Sequence, residues 1–125
     1  MSILEHVNIT VSDPAATAEW LGDVFGWHLR WQGAAIHGGH TVHVGTDDAY
    51  VALYAPTTRA EPSPTSYGIR GGLNHVGVVV DDLDATEAKV KTAGFAPHSH
   101  ADYEPGRRFY FHDADGIEWE VVSYA

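Results

Sequence analysis

His6-Val-Asn-Ile-Thr-Val-Ser-Asp13 and His75-Val-Gly-Val-Val-Val-Asp-Asp82 read as two copies of one short strand, each opened by a histidine and closed by an acid. In the first copy Val7, Ile9 and Val11 alternate with His6, Asn8 and Thr10, the period-two pattern of a strand with one apolar and one polar face. The residues after each copy repeat as well. Ser12-Asp13-Pro14 is a helix start, an Asx cap with proline in the first turn, and it predicts a helix over 15–25 that Gly26 ends. Asp82 or Asp84 caps a second helix over 84–93, stopped by Gly94. Short β-rich runs come after the first helix at 27–32, 41–45 and 50–54. Others come after the second near 95–100, 107–112 and 117–124, the first strands being 7–11 and 74–80. The offset is 69 at the histidines and 68 at the glycine stops, as expected for one supersecondary unit used twice with a residue lost between.

These limits predict an α+β chain of two βαβββ modules, the first about 1–56 and the second about 73–125, with a linker at about 57–72. The segment 55–72 holds three of the six prolines among Ser, Thr and Gly, which favours an extended connector. At 125 residues both modules belong to a single domain.

Seven basic against seventeen acidic residues leave a formal charge of −10, which repels phosphate backbones and anionic lipid surfaces, so nucleic acid and membrane are not expected partners. Cysteine is absent, so a metal has only nitrogen and oxygen ligands to use. No apolar stretch approaches the ~18 residues of a membrane span, and the reading is of a soluble, cytoplasmic protein.

Nine histidines are dispersed along the chain. Strand parity turns His6 and His75 away from their valines, and turns Glu120 away from Ile117, Trp119 and Val121. If the two sheets curl into one open barrel, these three side chains converge inside it. Two imidazoles and one carboxylate form a facial triad that leaves coordination positions for substrate and suits Fe(II), Mn(II) or another first-row ion. The plainer reading makes His6 and His75 strand-edge residues and Glu120 a solvated acid. At offset 68, Ala52 falls opposite Glu120.

At these residues the chain resembles the vicinal oxygen chelate superfamily, which includes glyoxalase I, extradiol dioxygenases, fosfomycin-resistance enzymes and bleomycin-binding proteins. The resemblance spans nearly the whole chain. It rests on the two quoted strands, on Phe25-Gly26-Trp27, and on Phe109-Tyr110-Phe-His-Asp113-Ala-Asp115-Gly116 followed by Glu120. It implies two βαβββ modules forming an open, curved mixed-sheet barrel, with His6, His75 and Glu120 as metal ligands and Ala52 in the place of a missing fourth. The implied ion is Fe(II) or Mn(II), with Ni(II), Co(II) and Zn(II) also compatible. It further implies a small-molecule substrate and a homodimer, the latter also covering exposed sheet edges.

Glyoxalase I-like enzymes place a proton-moving carboxylate where this chain has Ala52, and a methyl group neither binds metal nor moves a proton. The three-ligand set is similar to those of extradiol dioxygenases and of fosfomycin-resistance transferases. Tyr110, His100 and His40 are the candidate catalytic residues: Tyr110 by strand parity with Arg108 and His112, His100 as a proton-transfer group, and His40 by falling opposite Arg108 at offset 68. His37, His43 and His98 read as structural or surface residues. Arg107 and Arg108 are the nearby cations that a phosphonate needs, though such a pair also suits a solvated turn. Trp20, Trp27, Trp31 and Trp119 keep open a different class, a non-catalytic protein that traps an aromatic or antibiotic ligand.

Overall fold

The computed structural model describes residues 1–64 and 66–125, in two compact units, Met1–Glu61 and Pro62–Ala125. The division falls inside the segment expected as a linker. The first unit runs β1 (His6–Thr10), α1 (Pro14–Phe25), β2 (His28–Ala34), β3 (His40–Gly45) and β4 (Tyr50–Ala55), with a single 3-10 turn at Ile36–Gly38. Its sheet has the order β1-β4-β3-β2, with β1 parallel to β4 and the other pairs antiparallel. The second unit repeats this as β5 (Val76–Val79), α2 (Leu83–Thr92), β6 (His98–Tyr103), β7 (Gly106–His112) and β8 (Glu118–Ser123), ordered β5-β8-β7-β6. Both sheets are mixed and neither closes on itself, so the chain is α+β and built of two βαβββ modules.

Local chemistry accounts for the helix limits. Asp13 caps α1 by accepting a hydrogen bond from the Ala16 N–H at 3.1 Å, Pro14 fills the first turn, and Gly26 ends the helix in the left-handed region at φ 72°. Asp82, rather than Asp84, caps α2 through the Ala85 N–H at 3.0 Å, and Gly94 follows the helix at φ 97°. Thr17, Leu21 and Val24 of α1 are buried, and the helix lies against β3 and β4. Leu83, Thr86 and Val90 do the same for α2, which lies against β8. Each sheet therefore has one helix-covered apolar face and one polar face.

The strand registers test the repeat directly. Asn8 pairs with Ala52 in the first unit and Gly77 with Glu120 in the second, so Ala52 and Glu120 hold equivalent positions. Two limits differ from expectation. The strand expected near 95–100 begins at His98, because Phe95 stacks on Phe111 at 5.7 Å ahead of Pro97, which lacks an N–H for a ladder. His75 stands one residue before β5, whose ladder opens at Val76 opposite Trp119.

The core of the second unit is aromatic. Trp119, Phe109 and Phe111 are fully buried, and Asp113 in the β7–β8 turn is buried beside them. Its Oδ1 accepts the N–H groups of Asp115 (2.9 Å) and Ile117 (3.0 Å), and its Oδ2 accepts the Trp119 indole N–H at 3.0 Å. No helix among the described residues is long and apolar enough to cross a membrane.

Candidate metal and substrate site

On the polar face of the second sheet, strand parity brings Glu118 and Glu120 of β8 beside Tyr110 and His112 of β7, with His75 at the head of β5. His75 lies between the two acids: its Nε2 is 3.7 Å from Glu120 Oε2, and its Nδ1 is 3.6 Å from Glu118 Oε2 and 3.3 Å from the Tyr67 hydroxyl. Tyr67 also donates to Glu118. Both oxygens of Glu120 have neighbours, since Tyr110 donates to Oε2 at 2.8 Å and Arg108 Nη1 stands 3.5 Å from Oε1. His98 and His112 share a hydrogen bond of 3.0 Å, and His112 Nε2 is 3.7 Å from Glu118 Oε1.

Burial, the hydrogen bond to Glu120 and that carboxylate's charge together push the Tyr110 phenol up to about 12. Tyr110 is therefore a hydrogen-bond donor at neutral pH and not a base. Difference ultraviolet titration of wild type against Tyr110→Phe is expected to show one phenol ionising near pH 12; ionisation near ~10, the ordinary tyrosine value, contradicts this. The folded state holds that proton more tightly than the unfolded chain does. The stability it contributes is therefore present below pH ~10 and is lost as pH rises through the folded value.

The polar face of the first sheet is built differently. His6 stacks on Tyr50 at 4.9 Å, Tyr50 stacks on His43 at 4.6 Å, and His43 meets Trp31 at 5.2 Å, with the Arg30 guanidinium 4.6 Å above the Tyr50 ring. Glu5 accepts from His6 Nδ1 at 2.8 Å, and this bond pulls the Glu5 carboxyl below its ordinary value. That contact engages Nδ1, one of the two ring nitrogens of His6. Burial, ahead of the charges of His6 and Arg30, lowers the His43 pKa.

Thus the structure joins His75, Glu120 and Tyr110 in one cluster, and describes His6 within the other unit. Among the described residues no group of three or more His, Asp or Glu side chains stands close enough to hold a metal ion. Two of the other candidates lie elsewhere. His100 bonds to Glu87 of α2 at 2.9 Å and stacks on the core ring of Phe109, on the helix side of the sheet. His40 is exposed and shares the parity of Val42 and Val44, opposite His43. Instead His43 pairs with Ala52, as Tyr110 pairs with Glu120, and His98 pairs with Tyr110. Glu118 and Tyr67 complete the cluster of the second unit, and Tyr50 completes the aromatic row of the first. Glu118 shares the parity of Glu120 and matches Tyr50 at offset 68, a signal present in the sequence; Tyr67, inside the expected linker, carries none.

The family model described as Glyoxalase/Bleomycin resistance protein/Dioxygenase superfamily matches residues 3–121. The chain belongs to this superfamily. No curated protein resembles this superfamily member closely enough in sequence to count as a match. Among solved structures it is similar to a glyoxylase/bleomycin resistance protein/dioxygenase domain from Frankia sp. EAN1pec, with 23% identity, 98% of each chain covered and a TM-score of 0.81. It is also similar to the fosfomycin resistance protein FosX from Listeria monocytogenes, solved with Mn(II) and a sulfate ion, at 17% identity and TM-score 0.73 over 98% of this chain and 93% of that one. A third is TnmS3, an antibiotic binding protein from Streptomyces sp. CB03234, at 20% identity and TM-score 0.71 over 100% and 98% of the two chains. At such identities these likenesses speak for the fold alone.

Proposed function

We propose that this superfamily member is a divalent-metal-dependent enzyme acting on a small molecule that binds the ion through two adjacent oxygens, with His6, His75 and Glu120 as the protein ligands. The observation that carries the reading is the placement of the His75 ring, with one nitrogen facing Glu120 and the other facing Glu118 and Tyr67. A ligating histidine has this surrounding: a carboxylate or other acceptor on one nitrogen orients the ring and leaves the second for the ion. His6 has the same feature in its Nδ1 contact with Glu5. The separation of 3.7 Å between His75 Nε2 and Glu120 Oε2 is within the span of two donors on one ion at about 2.1 Å each. The His75 and Glu120 pair thus suits an ion held by nitrogen and oxygen, with His6 proposed as the third ligand and Fe(II) or Mn(II) the favoured class.

When bound, such a cation supplies Lewis-acid activation of neighbouring substrate oxygens and, as Fe(II), a route to oxygen chemistry. The protein's own groups set the rest. Tyr110 remains protonated and donates its one O–H to the Glu120 carboxylate, or to a substrate oxygen that takes that carboxylate's place. In the His98–His112 pair one ring donates and the other accepts, which gives the site a base and an acid beside Tyr110. Ala52, at the position equivalent to Glu120, supplies no proton acceptor, which argues against glyoxalase-type proton transfer. The reading therefore leans to an extradiol-dioxygenase-like reaction, with a fosfomycin-resistance-type thiol transfer or a lyase reaction as its neighbours, in a cytoplasmic homodimer.

Oxygen uptake by anaerobically purified, Fe(II)-loaded protein over a panel of catechols tests this reaction. Uptake that disappears in Tyr110→Phe and His98→Ala supports it; a loaded protein with no uptake across the panel removes the dioxygenase reading. The aromatic row from Trp31 through His43 and Tyr50 to His6 favours a second reading, a non-catalytic binder of planar ligands. Tight binding of an aromatic ligand by metal-free protein, combined with no metal uptake, is the result that selects it.

A further inference from the structure

Tyr67 belongs to the connector, yet its hydroxyl lies in the cluster of the second unit. Residues 66–72 make two consecutive turns, closed by the Ile69 N–H on the Ser66 carbonyl at 3.2 Å and by the Gly72 N–H on the Ile69 carbonyl at 3.0 Å. Both bonds run within the segment, and among the described residues no backbone hydrogen bond ties it to a strand. Gly71 takes φ 84°, and a Cβ on Gly72 would stand 3.1 Å from the Ser66 and Ile69 carbonyl oxygens, so the turns close on themselves. Apolar packing adds little, since Tyr67, Ile69 and Leu73 are all exposed. What reaches the sheet is the Tyr67 hydroxyl, which donates to Glu118 Oε2 and stands 3.3 Å from His75 Nδ1. A segment with few buried contacts and one polar anchor is at the low-stability end of a fold, where local opening is easiest. The Glu118 side chain is meanwhile 15% exposed, with Tyr67 on one oxygen and His112 3.7 Å from the other.

We propose that residues 66–72 are a strap, latched by the Tyr67 hydroxyl on Glu118, which lifts from the polar face of the second sheet to admit a small ligand and closes again beside His75. Leu73 and Asn74 alone separate the strap from His75, so its closure and the setting of that ring are linked. The closed strap puts the Tyr67 oxygen against Nδ1, and the open one takes it away. By reciprocity, a ligand that needs His75 in this orientation favours the closed strap. The latch uses the protein's own groups and stands without an ion; only its response to an ion rests on the metal reading.

Limited trypsin digestion tests the latch, because Arg70 lies inside the strap and Arg108 within β7. The quantity read is the Arg70 cleavage rate relative to the Arg108 rate, so unfolding of the whole second sheet, which speeds both, gives no support. Cleavage follows the open population. In metal-free protein the ratio is expected to rise about tenfold or more in Tyr67→Phe, the scale of a hydrogen bond to a charged group. Glu118→Ala is expected to raise it equally, and the double variant no further, because all three lack the same bond. A ratio within about twofold of wild type in Tyr67→Phe, or gains that multiply in the double variant, overturns the latch. Mn(II), its binding followed by electron paramagnetic resonance, is expected to slow Arg70 cleavage in wild type and not in Tyr67→Phe. Mn(II) that binds without slowing it overturns the coupling to His75. Absence of Mn(II) binding is a failure of the metal reading, which the metal-free comparison does not share.

Discussion

Asp113→Ala is expected to destabilise the chain by about 3–5 kcal/mol and to lower its Tm by on the order of 10–20 °C. The buried carboxylate is the single acceptor for three donors, the Asp115 and Ile117 N–H groups that shape the β7–β8 turn and the indole N–H of the fully buried Trp119. Removing it takes away the carboxylate that accepts from the buried indole and loosens the turn that sets the register of Tyr110 against Glu120. Asp113→Asn is expected to cost less, about 1–3 kcal/mol, because its carbonyl oxygen still serves both backbone groups while its NH2 faces the Trp119 donor. Burial raises the Asp113 pKa against the lowering pull of those three bonds. The folded state then binds a proton more readily than the unfolded chain, so this carboxyl makes stability decline as pH rises from the unfolded value to the raised one. Urea denaturation reads these differences; an Asp113→Ala chain within ~1 kcal/mol of wild type contradicts the assignment.

Glu120→Gln is expected to weaken metal binding by more than about 100-fold, whereas Glu118→Gln costs about 10–100-fold, the range of an orienting partner. The two acids stand at similar distances from His75, 3.7 and 3.6 Å, but on different nitrogens. Glutamine at 120 keeps an acceptor for Tyr110 and removes the charge that a cation needs. Competition against a chromophoric chelator measures both variants. Equal losses for the two would mean that the nitrogens of His75 do not divide into a ligating and an orienting side.

The modules were legible because each level of the sequence agrees with the others: period-two valines, an Asx cap at Asp13 and Asp82, and a left-handed glycine after each helix. The equivalence of Ala52 and Glu120 followed from one offset, and the registers Asn8 to Ala52 and Gly77 to Glu120 agree with it. That offset does not carry across the next hairpin. Gly45 pairs with Tyr50 around four loop residues, and His112 pairs with Glu118 around five. The extra residue moves the match by one and reverses side-chain parity, so the counterpart of Tyr110 is His43, while His40 matches Arg107.

A backbone irregularity explains the other misplacement. The β6 ladder shifts between His98 and Ala101, with Ser99 at φ 56°, and alternation fails across such a bulge. His98 therefore faces Tyr110 while His100 reaches Glu87 on α2. Tyr67 was not legible at all, because a composition that marks a connector says nothing about one side chain folding back onto Glu118 and His75.

Anaerobic purification followed by metal analysis of wild type, His75→Ala and Glu120→Ala measures the proposed site most directly. Wild type is expected to carry a single divalent ion per chain and both variants to carry almost none, with the fold of each checked by its circular dichroism. Equal metal content in all three proteins contradicts the His6, His75 and Glu120 assignment.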